Sequence, residues 1–266
     1  MKAIHKKVLA ISLSAMLIPA AISSAFAHSE HRHNMQHGAY KMLKKLDLTD
    51  AQKEDVKAIF KAKRSEAGSQ RESFKALLQS LGEQIKQDTW DETQVAQLVA
   101  DMHKFKSQQM EKRLATKQDV WLILTPQQQA KYIEMLEKRL AKMSGKSDER
   151  MEKRQAKIMK KLELTQEQET VVAPLLAQLS ENKGQLKSIK MAAKSQEVAL
   201  LSASGTYDQM SPLTSEQEQA IQQLSVNNAS LHHRIWHNLT AEQQSTFERF
   251  MKQNKKGKKR GKSRQS

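Results

Sequence analysis

The chain has 266 residues, a formal net charge of +16 and no Cys, and only 5% of its residues are aromatic. With 8 Gly and 4 Pro, the composition predicts a helical protein and argues against sandwiches, barrels and collagen-like chains. The lack of Cys excludes thiol nucleophiles, disulfides and Cys-based zinc sites. Glycine-rich phosphate loops, the Gly-x-Ser-x-Gly elbow and the His-Glu-x-x-His motif are also missing, so we expect no enzyme activity.

Residues 1–27 have the pattern of an export signal. Three lysines precede an apolar run over residues 8–22, and Ala25 and Ala27 occupy the two positions that signal peptidase reads. The alternative is a membrane anchor, which the shortness of the run and Pro19 disfavour. The sequence therefore predicts a cleaved signal and a soluble periplasmic protein that begins at His28, with no integral membrane span.

Residues 252–266 form a basic tail with eight Lys or Arg and no acidic residue. Its glycines and its lack of apolar residues predict disorder. The signal supplies 3 and the tail 8 of the +16 charges, which leaves +5 on residues 28–251. Because no aromatic residues interleave with the basic run, we expect no nucleic-acid partner and only weak contact with anionic surfaces.

An internal repeat organises the middle of the chain. Residues 42–49 recur as residues 158–165, and residues 121–128 recur as residues 236–243. The tripeptide at 89–91, Thr-Trp-Asp, is echoed by Thr-Tyr-Asp further along the chain. Three landmarks in the same order at nearly constant offsets indicate two copies of one unit.

Each copy has the same predicted plan, because apolar residues recur at spacings of three and four and no sustained alternation occurs. A long helix leads to a turn near Trp90 or Tyr207, a second long helix returns, and a shorter helix follows. The sequence thus predicts an all-α fold of two tandem helical-hairpin units that form an elongated, cradle-like pseudo-dimer. The predicted segments are the first unit at 28–143 (lead-in 28–40), a linker at 144–156, the second unit at 157–251 and the tail.

A Leu-Thr-x-x-Gln motif opens the first and the last helix of each unit. Thr is a good N-cap and the Gln three residues later can reach back to the amide of the Thr, so each motif predicts a capping box. The preceding Leu is expected to anchor the turn in the core. The motif residues are Leu48, Thr49, Gln52, Leu124, Thr125, Gln128, Leu164, Thr165, Gln168, Leu239, Thr240 and Gln243, and a fifth match begins at Leu213.

These paired motifs resemble the two LTxxQ motifs of the Spy/CpxP family of periplasmic stress proteins. The resemblance implies a bent helical hairpin that dimerises into a thin cradle. It also implies one of three functions. Spy-like members are ATP-independent chaperones, CpxP-like members inhibit a sensor kinase, and zinc-resistance relatives bind metal. Family members are mostly single units, so the tandem copy is expected to form the cradle within one chain.

Basic residues on the long helices of the first unit are the candidate contacts for unfolded clients. A basic face attracts acidic segments while apolar patches hold exposed hydrophobic ones. The alternative for each residue alone is a solvated helix face. The candidates are Lys61, Lys63, Arg64, Lys104, Lys106, Lys112 and Arg113.

Histidines mark two candidate metal sites. Four lie in the lead-in, His28, His31, His33 and His37, and can chelate zinc or copper if the segment is more than a polar leader. His233 and His237 lie four residues apart and so share a helix face, where a structural role is the alternative. No cofactor is required for the predicted function.

Three functions remain in competition at the level of sequence. The first is an ATP-independent holdase that binds unfolded or misfolded envelope proteins under stress. The second is an inhibitory regulator that docks on the periplasmic domain of a sensor kinase. The third is a periplasmic stress protein that binds zinc or copper through the histidines of the lead-in.

Overall fold

A computed structural model describes residues 42–65, 68–144, 148–207, 210–211 and 213–253. These residues form helices and turns and contain no strand, which confirms the all-α prediction. The predicted signal, the His-rich lead-in and the tail from residue 254 onward lie outside the described residues. The helices of the described part are α1 (Asp50–Ser65), α2 (Gly68–Lys86), α3 (Glu92–Ile123), α4 (Pro126–Ser144), α5 (Asp148–Leu162), α6 (Gln166–Ser204), α7 (Ser215–His237) and α8 (Ala241–Gln253).

The helices follow the predicted plan in both halves, which we take as residues 42–144 and 148–253. A turn at residues 87–91 separates α2 from α3, and a break after α6 separates it from α7. The second half differs in its outgoing leg, because α6 is one continuous helix of 39 residues. That helix is about 58 Å long at 1.5 Å per residue.

Three residues of types that often interrupt helices do not break theirs. Gly82 lies inside α2, and Pro174 and Gly184 lie inside α6. A proline removes one backbone hydrogen bond and a glycine adds backbone freedom. The structure keeps these helices continuous because neighbouring residues such as Leu81 and Leu175 are buried in the cores.

The polar stretch at 144–156, predicted as a linker, lies largely in α5, which begins at Asp148 and ends at Leu162. Its Glu, Lys, Arg, Gln and Ala residues are good helix formers, and no Gly or Pro follows Gly145 in this stretch. The helix carries Ile158 and Leu162 into the core of the second half. The connection between the halves is therefore also a packing element.

Buried residues form three clusters, and two of them combine residues from both halves. The first cluster draws only on α5 to α8, around Val172 and Ile235. The second surrounds Trp121 in the first half and includes Leu201 and Tyr207 from the second half. The third lies between α2 and α3 and includes Ala229 from α7. The halves thus bury apolar surface against each other within one chain.

Polar contacts also join the halves. Trp121 donates its indole N–H to the carbonyl oxygen of Gly205, at 2.7 Å. At the other end of the molecule Lys86 pairs with Glu248, and its Nζ lies 4.4 Å from the ring centroid of Trp236. These contacts bring the turn region of each half to the other half. The elongated cradle shape of the pseudo-dimer remains a prediction.

None of the helices in the described residues combines the length and the apolar character that a membrane crossing requires.

Shortening Leu201 should destabilise the protein far more than the same change next to it. Leu201 is 1% exposed in a core that belongs mostly to the other half, whereas Leu200 is 43% exposed. Leu201→Ala should cost about 2–5 kcal/mol of unfolding free energy, as buried Leu truncations do. Leu200→Ala should cost about 0.5 kcal/mol or less. Urea unfolding followed by circular dichroism measures both, and equal losses would contradict the shared core.

Candidate functional site

The four paired Leu-Thr-x-x-Gln motifs each begin a helix through a reciprocal capping box. The amide of Thr49 donates to Oε1 of Gln52 at 2.9 Å, and the amide of Gln52 donates to Oγ1 of Thr49 at 3.2 Å. The boxes at Thr125, Thr165 and Thr240 have the same two bonds at 2.9–3.3 Å. The fifth match at Thr214 also forms a box. Each box satisfies amides that a helix start leaves without partners.

The leucines of the motifs lie in or against the cores. Leu124 is 5% exposed and Leu239 is 7% exposed. Leu48 and Leu164 are partly buried against the second and the first cluster. The leucines therefore anchor the turns that precede the capped helices.

The glutamines of the motifs bond to each other in pairs, which the sequence did not reveal. Nε2 of Gln52 donates to Oε1 of Gln128 at 2.9 Å, and Nε2 of Gln128 donates back to Oε1 of Gln52 at 3.1 Å. Gln168 and Gln243 repeat this arrangement at 2.8 and 2.9 Å. We call each reciprocal pair a glutamine clamp. Each clamp ties the first capped helix of a half to its last.

The clamps extend to the backbone just before each partner motif. Gln52 donates to the carbonyl of Ile123 at 2.8 Å, and Gln168 donates to that of Asn238 at 2.9 Å. Gln128 and Gln243 reach the carbonyls before the first motif of each half at 3.5 and 3.4 Å. Those carbonyls belong to Asp47 and Glu163, which adopt the left-handed conformation with φ of 53° and 48°. One side chain thus caps its own helix and fixes the turn before its partner.

The predicted client-contact residues are spread over two helices. Lys61 is exposed on α1, and Lys104, Lys112 and Arg113 are exposed on α3. Lys63 and Arg64 lie in α1, but their side chains are outside the described part.

Lys106, one of the predicted client-contact residues, lies beside two stacked aromatic rings. Its Nζ lies 5.8 Å from the ring centroid of Phe74, and the Phe74 and Phe105 rings stack at 4.8 Å. The Lys106 residue is exposed overall, but protein around its ammonium displaces water and lowers its pKa, and the charge of Lys190 lowers it further. Lysines of α3 and α6 therefore face each other across the two halves.

Two lysines of α6 complete this surface, and sequence reasoning missed both. Burial lowers the pKa of Lys190. Burial also lowers the pKa of Lys194, and Arg139 lowers it further. The ammonium of Lys194 lies 3.5 Å from the sulfur of Met143, a side chain that is 37% exposed. We call Lys106, Lys190 and Lys194 the lysine surface.

The histidines of the lead-in lie outside the described residues. Among the residues that the structure does describe, no three His, Cys, Asp or Glu come close enough together to hold a metal ion. His233 and His237 do meet, with their ring centroids 4.3 Å apart. His103 and His232 are buried in the helical packing.

His103 is a buried titratable group at the contact between α3 and α7. It is 6% exposed, and its Nε2 has no hydrogen-bond partner among the described residues. Burial lowers the pKa of His103, the nearby Lys106 lowers it further, and Glu218 of α7 acts in the opposite direction. The folded protein therefore favours the neutral imidazole.

Comparison with known proteins supports the reading of the motifs. Residues 34–136 match the family model described as LTXXQ motif family protein. This part of the chain is similar to the LTXXQ motif family. The resemblance to the Spy/CpxP family is thereby confirmed for these residues, and the match points to a periplasmic stress protein of that kind. No curated protein and no solved structure matches the chain.

The LTXXQ family match covers most of the first half, and the second half repeats the paired bonds of its motifs. Each half has two capping boxes at its paired motifs, one glutamine clamp and one left-handed residue before its first motif. The pair of motifs thus closes each half, and the chain contains this pair twice.

Removing a glutamine that forms a clamp should destabilise the protein more than removing a glutamine that only caps a helix. Gln168 caps α6 and bonds to Gln243, whereas Gln217 caps α7 and makes only a 3.5 Å contact with Gln196. Both Ala variants should lose about 1 kcal/mol of cap energy. Gln168→Ala should lose about 1–3 kcal/mol more, because two partly buried partners are left unsatisfied. Equal losses in urea unfolding would show that the clamp contributes nothing.

Acid should weaken the fold through His103. Because its folded pKa lies below the ordinary value of 6.5, the unfolded chain binds more protons once the pH falls below that value. The stability contributed by the neutral ring is complete above pH 6.5 and is lost as the pH falls toward the lowered pKa. The loss in urea unfolding free energy between pH 7.5 and pH 5 should be smaller in His103→Met. An unchanged pH dependence in that variant would exclude this role.

Proposed function

We propose that the protein is an ATP-independent periplasmic chaperone that holds unfolded or misfolded envelope proteins. The observation that carries the proposal is the lysine surface, where the positive charges of two helices influence each other beside a partly exposed methionine and aromatic rings. The match of residues 34–136 to the LTXXQ family supports it, because proteins of that family are of the chaperone and regulator type and are typically periplasmic. The proposal assigns binding to the protein and no catalysis.

The lysine surface has unneutralised positive charge. No described carboxylate lies within salt-bridge distance of Lys106 or Lys190. The two ammonium groups repel each other, and the surrounding protein weakens their hydration. An acidic segment of a client would relieve both costs, so the surface favours negatively charged, non-native chains.

Apolar groups at the same surface provide the other kind of contact that client recognition needs. Met143 lies beside Lys194, and Phe74 lies beneath Lys106. Methionine side chains adapt to varied partners, and aromatic rings offer large apolar area. Contacts of this kind are individually weak, so a client can fold while it remains bound.

Export is part of the proposal. Residues 1–27 are proposed to direct the chain out of the cytoplasm and to be removed there. Client binding needs no nucleotide, which suits a compartment without ATP.

The chaperone activity predicts suppression of client aggregation without ATP. An equimolar amount of protein should reduce light scattering by a reduced or heat-denatured client. The variant Lys106→Gln/Lys190→Gln should bind about fivefold more weakly, since two exposed ionic contacts together contribute about 1 kcal/mol. Its matched control is Lys160→Gln/Lys161→Gln, which removes two exposed lysines of α5.

The control should suppress scattering as well as the parent protein does. No suppression at severalfold excess of the parent protein would remove the chaperone function. Suppression that is equally weakened in both double variants would attribute the effect to net charge and not to the lysine surface.

A further inference from the structure

Two imidazole rings lie together at the C-terminal end of α7. His233 and His237 are separated by one helical turn, and their ring centroids are 4.3 Å apart. His233 is partly buried, while His237 is exposed to solvent. The pair therefore has one ring held by the protein and one ring that can move to meet a ligand.

The position of the proton on His233 follows from its contact with α2. Its Nδ1 lies 3.1 Å from the carbonyl oxygen of Ile85. A carbonyl can only accept a hydrogen bond, so Nδ1 carries the proton and the lone pair of the neutral ring is on Nε2. Ile85 lies in the last turn of α2, where carbonyls lack partners within the helix. His233 therefore also caps α2.

This arrangement is the one that orients histidine ligands in metal sites. A metal-binding imidazole usually donates its second N–H to a carbonyl or carboxylate, which fixes the tautomer and the direction of the free nitrogen. The Trp90 ring, whose centroid lies 5.1 Å from that of His233, restrains the imidazole further. These contacts fix the direction of the free nitrogen of His233 in the absence of a ligand.

We propose that His233, through Nε2, and His237 form a two-histidine site for a divalent transition metal, with water completing the coordination. Imidazole suits copper, nickel and zinc, and the general order of divalent affinities places copper first. The site is separate from the four lead-in histidines and from the lysine surface, and so goes beyond the proposed chaperone function.

The metal would also strengthen a contact between the halves. His233 belongs to α7 in the second half, and its hydrogen-bond acceptor Ile85 belongs to α2 in the first half. A ligand that binds only this folded arrangement stabilises it by mass action. With two protein ligands the site is expected to exchange metal readily, which fits sensing or buffering better than a permanent structural role.

Calorimetric titration with CuCl₂, NiCl₂ and ZnCl₂ tests the site. The parent for this experiment is the full chain in which His28, His31, His33 and His37 are all replaced by Gln, so that the lead-in does not contribute. We expect one equivalent of metal to bind, with copper tightest. His237→Gln should weaken binding by about tenfold or more, and His233→Gln by a similar factor.

Two controls keep the test decisive. Gln223→Ala changes another exposed polar side chain of α7 and should leave metal affinity unchanged. Thermal unfolding with ZnCl₂ should show a higher midpoint in the parent and no shift in His237→Gln, whose exposed side chain leaves folding intact. The proposal is overturned if none of the three metals binds the parent, or if a folded His237→Gln binds as tightly as the parent.

Discussion

A single helix shared between two cores is the constraint on which the structure depends. α6 begins in the core of the second half, where Val172, Leu175 and Leu176 are buried, and its end places Leu201 in the core of the first half. A thin helical hairpin has too little volume to bury its own apolar stripe. The continuity of α6 solves this problem within one chain, because neither core is complete unless the helix reaches both. The direct contacts of α7 with α2 and α3 add a second connection of the same kind.

Much of the fold could be predicted from the sequence because the repeat and the capping boxes are local signals. The spacing of Thr49 and Gln52 predicts a helix start whatever surrounds it. The turn near Trp90 follows from the internal repeat. The glutamine clamp could not be predicted in this way. It joins residues 76 positions apart, and only the folded chain brings Gln52 to Gln128. The nearly equal spacing of the paired motifs, 76 residues in one half and 75 in the other, is its one visible trace in the sequence.

The lysine surface could be predicted only in part, because it also depends on contacts between distant parts of the chain. Helical periodicity places a lysine on a face, but it does not say which helix lies opposite. The pattern of the first half indicates Lys106 alone, whereas its structural neighbour Lys190 comes from the second half. The helicity of residues 148–156 was missed because a polar composition suits both an exposed helix and a loop. Tertiary contact decides such cases, and it is absent from a linear pattern.

Native-state hydrogen exchange across a series of low urea concentrations tests the shared cores most directly. It reports the opening free energy of the amides around Val95 and Val99 in the first half and around Leu175 and Leu176 in the second. If each half needs the other, both sets converge on one opening free energy with one urea dependence. Two separate limiting values, with one half remaining protected after the other has opened, would contradict the account.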